Sequence, residues 1–202
     1  MSDTTIDPKW FSSYFDRYRQ PLFQSGVEAD LIELRSRILS SREAGGKVVI
    51  VGNGGSAAIA DHCAVDLTKN AGVRAVSFAG AAWVSCLAND FGYEEWVARS
   101  LAMYADPRDV IVLISSSGAS ENILRAARTA QRLGMYVVTL SGFSPDNPLR
   151  RLGHLNLWVD SRAYNIVEMT HQIWLLAVCD ALIGSAEYPA SGIGVPKHGS
   201  RA

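Results

Sequence analysis

The sequence predicts an α/β fold: a three-layer sandwich in which a five-stranded parallel sheet lies between two layers of helices. Three observations carry this. Five short apolar runs, Val48–Val51, Ala75–Phe78, Val110–Ile114, Tyr136–Leu140 and Leu155–Val159, have the length and the β-branched or aromatic content of strands. Most of the stretches between them have helical periodicity, and a helix joining two strands of one sheet demands a parallel, right-handed crossover. Two of the runs pass directly into glycine- or serine-rich turns that open helices, and ligands bind such sheets at the carboxyl ends of their strands.

At the amino end, Asp7-Pro8 reads as an N-cap followed by a first helical residue, and Trp10, Phe11, Tyr14, Phe15 and Tyr18 recur at helical spacing until Pro21 ends or kinks the helix. A second helix through Val27, Leu31, Leu34 and Ile38 stops at Gly45-Gly46. After the first strand, residues 56–67 and 81–104 read as helical. Residues 120–133 form a helix closed by Gly134, and a last helix spans about 162–183. Residues 1–45 supply N-terminal helices that belong to the same domain as 46–184, and the Gly-, Pro- and Ser-containing segment 185–202 is expected to be a flexible tail. The aromatic first helix and the last helix, apolar on most sides, offer more apolar surface than a small sheet covers. The long N-terminal helices are therefore expected to be used in oligomerisation.

With 19 basic and 20 acidic residues scattered along the chain, the formal charge is -1 and no basic face is available to neutralise a nucleic-acid backbone. Met1–Pro8 lacks the basic start and apolar run of a signal peptide, and no apolar stretch nears membrane-spanning length, so the expectation is a cytoplasmic protein without a membrane partner. Cys63, Cys86 and Cys179 are odd in number, far apart and set among apolar residues, which predicts reduced, buried thiols.

The first strand runs into Gly52-Asn53-Gly54-Gly55-Ser56-Ala57, where glycines let backbone N–H groups approach an anion at a helix N-terminus. The same residues satisfy the spacing of a dinucleotide fingerprint. The second strand, however, ends in Phe78-Ala79-Gly80 without the acidic residue that would hold a ribose, so no nucleotide cofactor is expected. The second turn, Ser115-Ser116-Ser117-Gly118-Ala119-Ser120, adds four hydroxyls to the backbone amides. Neither turn carries the lysine that a nucleoside triphosphate normally requires, and a single phosphomonoester suits a hydroxyl-lined pocket better. Taken singly, either turn reads equally well as a helix cap; two in one sheet favour a ligand.

Together with Asn89-Asp90-Phe91-Gly92-Tyr93, these two turns resemble the sugar isomerase (SIS) domain, specifically its phosphoheptose isomerase branch, in order over roughly residues 10–184. The resemblance implies a flavodoxin-like tetramer with phosphate on Ser115, Ser116, Ser117 and Ser120. The implied reaction interconverts sedoheptulose 7-phosphate and D-glycero-D-manno-heptose 7-phosphate for surface glycans. The same turns offer Asn53, Gly54, Gly55, Ser56 and Asp90 to the sugar, with Asp90 alternatively a helix cap.

Where the family carries a His and, four residues on, a Glu, this chain has His62 and Asp66. Where the family has a metal-binding Gln with an Asp three residues before it and an acid/base His eight residues after, this chain has Glu168, Asn165 and Leu176. Moving a proton between adjacent carbons asks for a base at carbon and an acid or metal at oxygen. Asp66 is the expected base, and His171, one turn beyond Glu168, is the expected acid or else a helix residue facing a partner subunit. His62, Asp66 and Glu168 form a candidate zinc set, with His171 or Gln172 completing it; His62 and Asp66 alternatively form a structural i, i+4 pair. The missing histidine leaves a second function in view, a non-catalytic sugar-phosphate sensor or protein-binding module.

Overall fold

A computed structural model of the chain describes residues 6–189. The five strands are β1 (Val48–Gly52), β2 (Ala75–Val76), β3 (Val110–Ser115), β4 (Tyr136–Ser141) and β5 (Leu155–Trp158). They form one sheet of order β2-β1-β3-β4-β5, parallel throughout. Alternation along each strand divides the core in two. Val48, Ile50, Val110, Val112, Ile114, Val138 and Leu140 face the layer of α3 (Val27–Glu43), α4 (Gly55–Lys69) and α8 (Tyr164–Ile183). Val49, Val51, Ile111, Leu113 and Val137 face α5 (Ala81–Phe91), α6 (Trp96–Tyr104) and α7 (Glu121–Arg132). The expected three-layer α/β sandwich is thus present, and α3 shares its core with the sheet through Leu34 and Ile38.

Several elements differ from their sequence reading. The edge strand β2 is only two residues long, pairing with β1 through Ala75 and Val76. The 81–104 helix is two helices, broken at Gly92, whose φ of +89° is readily adopted by glycine. The first helix, α1 (Lys9–Asp16), stops before Pro21, which is buried in a separate short turn, α2 (Arg19–Leu22). Cys63 and Cys179 are buried and all three thiols are free, but Cys86 is exposed on α5. α8 is long and apolar enough to cross a membrane, contrary to the expectation that no stretch would be; here it packs against α3 and α4 and buries Val167, Trp174, Leu175 and Val178. The carboxyl-terminal part of the expected tail, 190–202, lies outside the described residues.

At the edge of the sheet opposite the turns, Asp109 fixes how β1 and β3 start. Its carboxylate, 1% exposed, accepts from the Lys47 N–H at 2.9 Å, the Lys47 ammonium at 2.5 Å and the Asp106 N–H at 2.8 Å. Replacing it strands a partly buried cation and two backbone donors, so Asp109→Ala is expected to lower the unfolding free energy by about 3 kcal/mol in urea titration. His171 is the second buried polar group of note. It is fully enclosed on α8, its Nε2 donates to the Ser141 carbonyl at 3.1 Å, and its Nδ1 has no partner among the described residues. Burial pushes its pKa down to about 4. The unfolded chain takes up the proton near pH 6.5, so the stabilisation from a neutral His171 is complete above that pH. It is lost, at about 1.4 kcal/mol per unit, as pH falls toward about 4. Chemical denaturation at a series of pH values is expected to show this slope, and a His171→Asn variant to lack that component.

Candidate functional site

β1 and β3 are neighbours with Gly52 opposite Ile114, so the turns that leave them stand side by side at the carboxyl edge of the sheet. The serine turn begins within β3 itself. Ser115 and Ser116 are buried and Ser117 and Ser120 are partly exposed. The Ser115 and Ser120 hydroxyls pair at 3.0 Å, the Ser117 hydroxyl accepts from the Ala119 N–H at 3.3 Å, and Ser116 Oγ has no partner among the described residues. Ser120 precedes α7, and its carbonyl takes the Ile123 and Leu124 N–H groups, leaving those of Glu121 and Asn122 as the open donors of the helix start. Hydroxyls, open N–H groups and the positive end of α7 therefore converge on one spot with no basic side chain in the turn.

A second loop holds this turn in shape. Asn147 is buried, and its amide donates to Ser141 Oγ and to the Gly142 and Ser144 carbonyls, while its oxygen caps the 3-10 helix Pro148–Leu152 by accepting from the Arg150 N–H at 3.1 Å. Gly118, at φ +64°, lies directly against the Asn147 side chain, so a β-carbon there would strike it. The Gly142 N–H donates to the Ser116 carbonyl and the Leu149 N–H to the Gly118 carbonyl.

The two turns are joined by a reciprocal amide pair. Asn53 and Asn122 each donate to the other's oxygen, at 2.9 and 2.8 Å, and the Tyr93 hydroxyl donates to Asn53 Oδ1 at 3.0 Å. Asn122, Tyr93 and Asn147 are structural parts of the site that sequence reasoning missed. Only Asn147-Pro148 carried a local signal, that of a turn start; Asn122 reads like any first-turn helix residue.

The glycine turn departs from the anion cradle expected of it. Gly54 has φ +55°, Ser56 is buried with its N–H on the Asn53 carbonyl, and the face of Gly55 is covered by the carboxyl group of Glu168 from α8; a β-carbon on Gly55 would collide with it. The chain thus sets its own carboxylate at the start of α4. Asp90, expected at a strand end or as a helix cap, instead ends α5: it is exposed, accepts from the Asn89 amide at 2.9 Å and caps nothing.

The expected acid, base and metal ligands do not assemble. His171 is sealed in the core as a neutral imidazole, which removes it as an accessible acid. Asp66 lies eleven residues beyond Gly55, about 16 Å along α4 at 1.5 Å per residue, away from the serine turn of its own chain. Its Oδ2 is 3.4 Å from His62 Nε2 and its Oδ1 accepts from the Asn70 amide at 3.1 Å. His62 Nδ1 meets Gln172 Nε2 at 3.1 Å. Glu168 lies against Gly55 at the start of α4, one turn of α8 before the Gln172 that meets His62, and among the described residues no three His, Cys, Asp or Glu side chains gather as a metal site. The donors of this chain therefore do not fit the expected zinc. Leu176 packs with the core, and Asn165 is exposed, its carbonyl accepting from the Tyr18 hydroxyl at 3.4 Å.

Comparison with known proteins agrees with this layout. The model of the SIS domain matches residues 14–142. The phosphoheptose isomerase of Cytophaga hutchinsonii is 41% identical over 110 residues, 52% of this chain and 58% of its own length. That of Helicobacter pylori is 33% identical over 151 residues, 72% of this chain and 78% of its own. The solved phosphoheptose isomerase of Francisella tularensis superposes with a TM-score of 0.81 at 25% identity, covering 90% of this chain and all of that one. The chain belongs to the SIS domain family, in its phosphoheptose isomerase branch.

Proposed function

We propose that the chain is a phosphoheptose isomerase, interconverting sedoheptulose 7-phosphate and D-glycero-D-manno-heptose 7-phosphate or a closely related sugar phosphate. The observation that carries this reading is the serine turn. The partly exposed Ser117 and Ser120 hydroxyls and the open N–H groups at the start of α7, backed by the buried Ser115 and Ser116, offer a hydrogen-bonding shell for one phosphomonoester, and no lysine or arginine in the turn is present to balance a longer polyphosphate. The amide pair Asn53–Asn122 and the Tyr93 hydroxyl beside it give the sugar a polar wall. Relatives at 33 to 41% identity that carry the isomerase name support catalysis over a sensor role.

We further propose a homotetramer working in the cytoplasm, where sugar phosphates are kept by their charge, and the reading requires neither nucleic acid nor membrane. The support for assembly is apolar exposure. α1 buries no residue, and Trp10, Phe11, Phe15 and Phe23 are 50 to 76% exposed, with Val65 of α4 and Ile173 of α8 also open to solvent.

Incubation with sedoheptulose 7-phosphate is expected to yield the aldose by NMR. Ser117→Ala is expected to weaken phosphate-ester binding about tenfold, the effect of losing one hydrogen bond to a charged group. No turnover with any ketose 7-phosphate would count against the isomerase. Light scattering is expected to give four times the chain mass, falling on Trp10→Ser with Phe15→Ser; a monomeric wild type would overturn the assembly.

A further inference from the structure

The motif Asn89-Asp90-Phe91-Gly92-Tyr93 does more than end α5. Gly92, at φ +89°, turns the chain out of the helix, the Glu95 N–H closes the turn on the Gly92 carbonyl at 3.1 Å, and the buried Trp96 then starts α6. Tyr93 and Glu94 are exposed, outside the core that fixes Trp96. Tyr93 nevertheless has a defined place: its hydroxyl donates to Asn53 Oδ1 at 3.0 Å, the same oxygen that accepts from the Asn122 amide at 2.8 Å. With its proton given to Asn53, the phenol oxygen can accept from a hydroxyl but not donate to one. Asn53 and Asn122 each keep an amide N–H beyond their reciprocal bonds, so the three side chains offer an acceptor beside donors, the pattern that a sugar hydroxyl next to another oxygen answers.

The ion pair that fixes this turn comes from α7. Arg125 lies three residues beyond Asn122 on the same face of that helix; its Nε donates to Glu121 at 2.8 Å, and a terminal nitrogen donates to Glu95, two residues beyond Tyr93. The 92–95 turn is therefore tied to α7 both through Asn53 and Asn122 and through Glu95 and Arg125. The Arg125 and Glu95 side chains are 38% and 29% exposed, and a pair this open adds little to stability, so its contribution is to geometry. With its charge met by two carboxylates, Arg125 is committed to the turn rather than to a phosphate.

From this arrangement we infer that Arg125 is a positioning residue for the sugar: its pair with Glu95 holds the Tyr93 hydroxyl on Asn53, and Tyr93 accepts a hydrogen bond from a hydroxyl of the sugar chain. This deepens the isomerase reading above and rests on it. The same helix thereby serves both ends of the ligand. Its first turn presents open N–H groups to the phosphate, and its second turn sets the tyrosine that reads the sugar. Gly92 gives the turn freedom to move, and the ion pair removes that freedom before the ligand arrives, which lowers the ordering cost of binding.

The test uses the full-length protein and sedoheptulose 7-phosphate, with inorganic phosphate as a second probe. Arg125→Gln is expected to raise KM about tenfold, the effect of losing one hydrogen bond at the sugar, with kcat within about threefold; Tyr93→Phe is expected to do the same. The double variant is expected to match either single one, because Arg125 acts through the Tyr93 hydroxyl. Binding of inorganic phosphate is expected to stay within about twofold in all three variants, since the serine turn is unchanged. A KM for Arg125→Gln within about twofold of wild type overturns the inference and leaves the isomerase standing, as does an additive double variant with KM raised about a hundredfold. Loss of phosphate binding by Arg125→Gln marks the residue as merely structural and also overturns it. Absence of turnover by the wild type overturns the isomerase reading, and this inference with it.

Discussion

Gly52 lies opposite Ile114 in the parallel register of β1 and β3, and the site depends on that pairing. The chain crosses over to β2 on one side of β1 and to β4 and β5 on the other side of β3, so these two strands flank the point where the connections diverge. The turns that follow both strands meet there. A one-residue slip would exchange the residues facing the two helical layers along β1 and would part Asn53 from Asn122. Asp109 acts at the far end of the same two strands, where its bonds to Lys47 fix their starting level. The register is thus pinned at one edge by the Asp109–Lys47 ion pair and read out at the other by an amide pair.

Much of this was legible because it is local. A strand, a turn of glycines or hydroxyls and a helix occupy a dozen consecutive residues, and periodicity is enough to find them; both turns and all five strands fall close to where the sequence puts them. What was not legible depends on contacts between distant segments. The i, i+4 spacing of His62 and Asp66 shows that they share a helix face, but spacing cannot say how far along α4 the ligand lies. His171 looks like an available acid until Trp174 and the Ser141 carbonyl are packed around it. Glu168 and Gly55 carry no joint signal, since only the wrapping of α8 over α4 brings them together.

α8 shows how one helix can serve several demands. Its apolar side, with Val167, Trp174, Leu175 and Val178, fills the core beneath the sheet, and the same run is what gives it membrane-like hydropathy. Its side toward α4 carries Glu168 at the start of α4, Gln172 against His62 one turn on, and Leu176 a further turn on. A leucine where the resemblance implies a histidine exchanges a titratable group for packing surface, and a glutamate where it implies a glutamine adds one. The pair of changes moves ionisable character along the helix toward the serine turn.

That shift also bears on how a phosphate, as proposed for the serine turn, would sit beside a carboxylate. Two unit negative charges several ångströms apart repel by one to a few kcal/mol in a partly solvated site, which a pocket without lysine or arginine must offset by other means. Here two helix starts lie next to each other: α4 begins against the carboxyl group of Glu168, and α7 begins at the uncharged serine turn. The glycine turn and the serine turn, which read in the sequence as two versions of one anion cradle, therefore divide the work. The first is covered by a carboxyl group that the chain itself supplies, and the second is held in shape by Asn147.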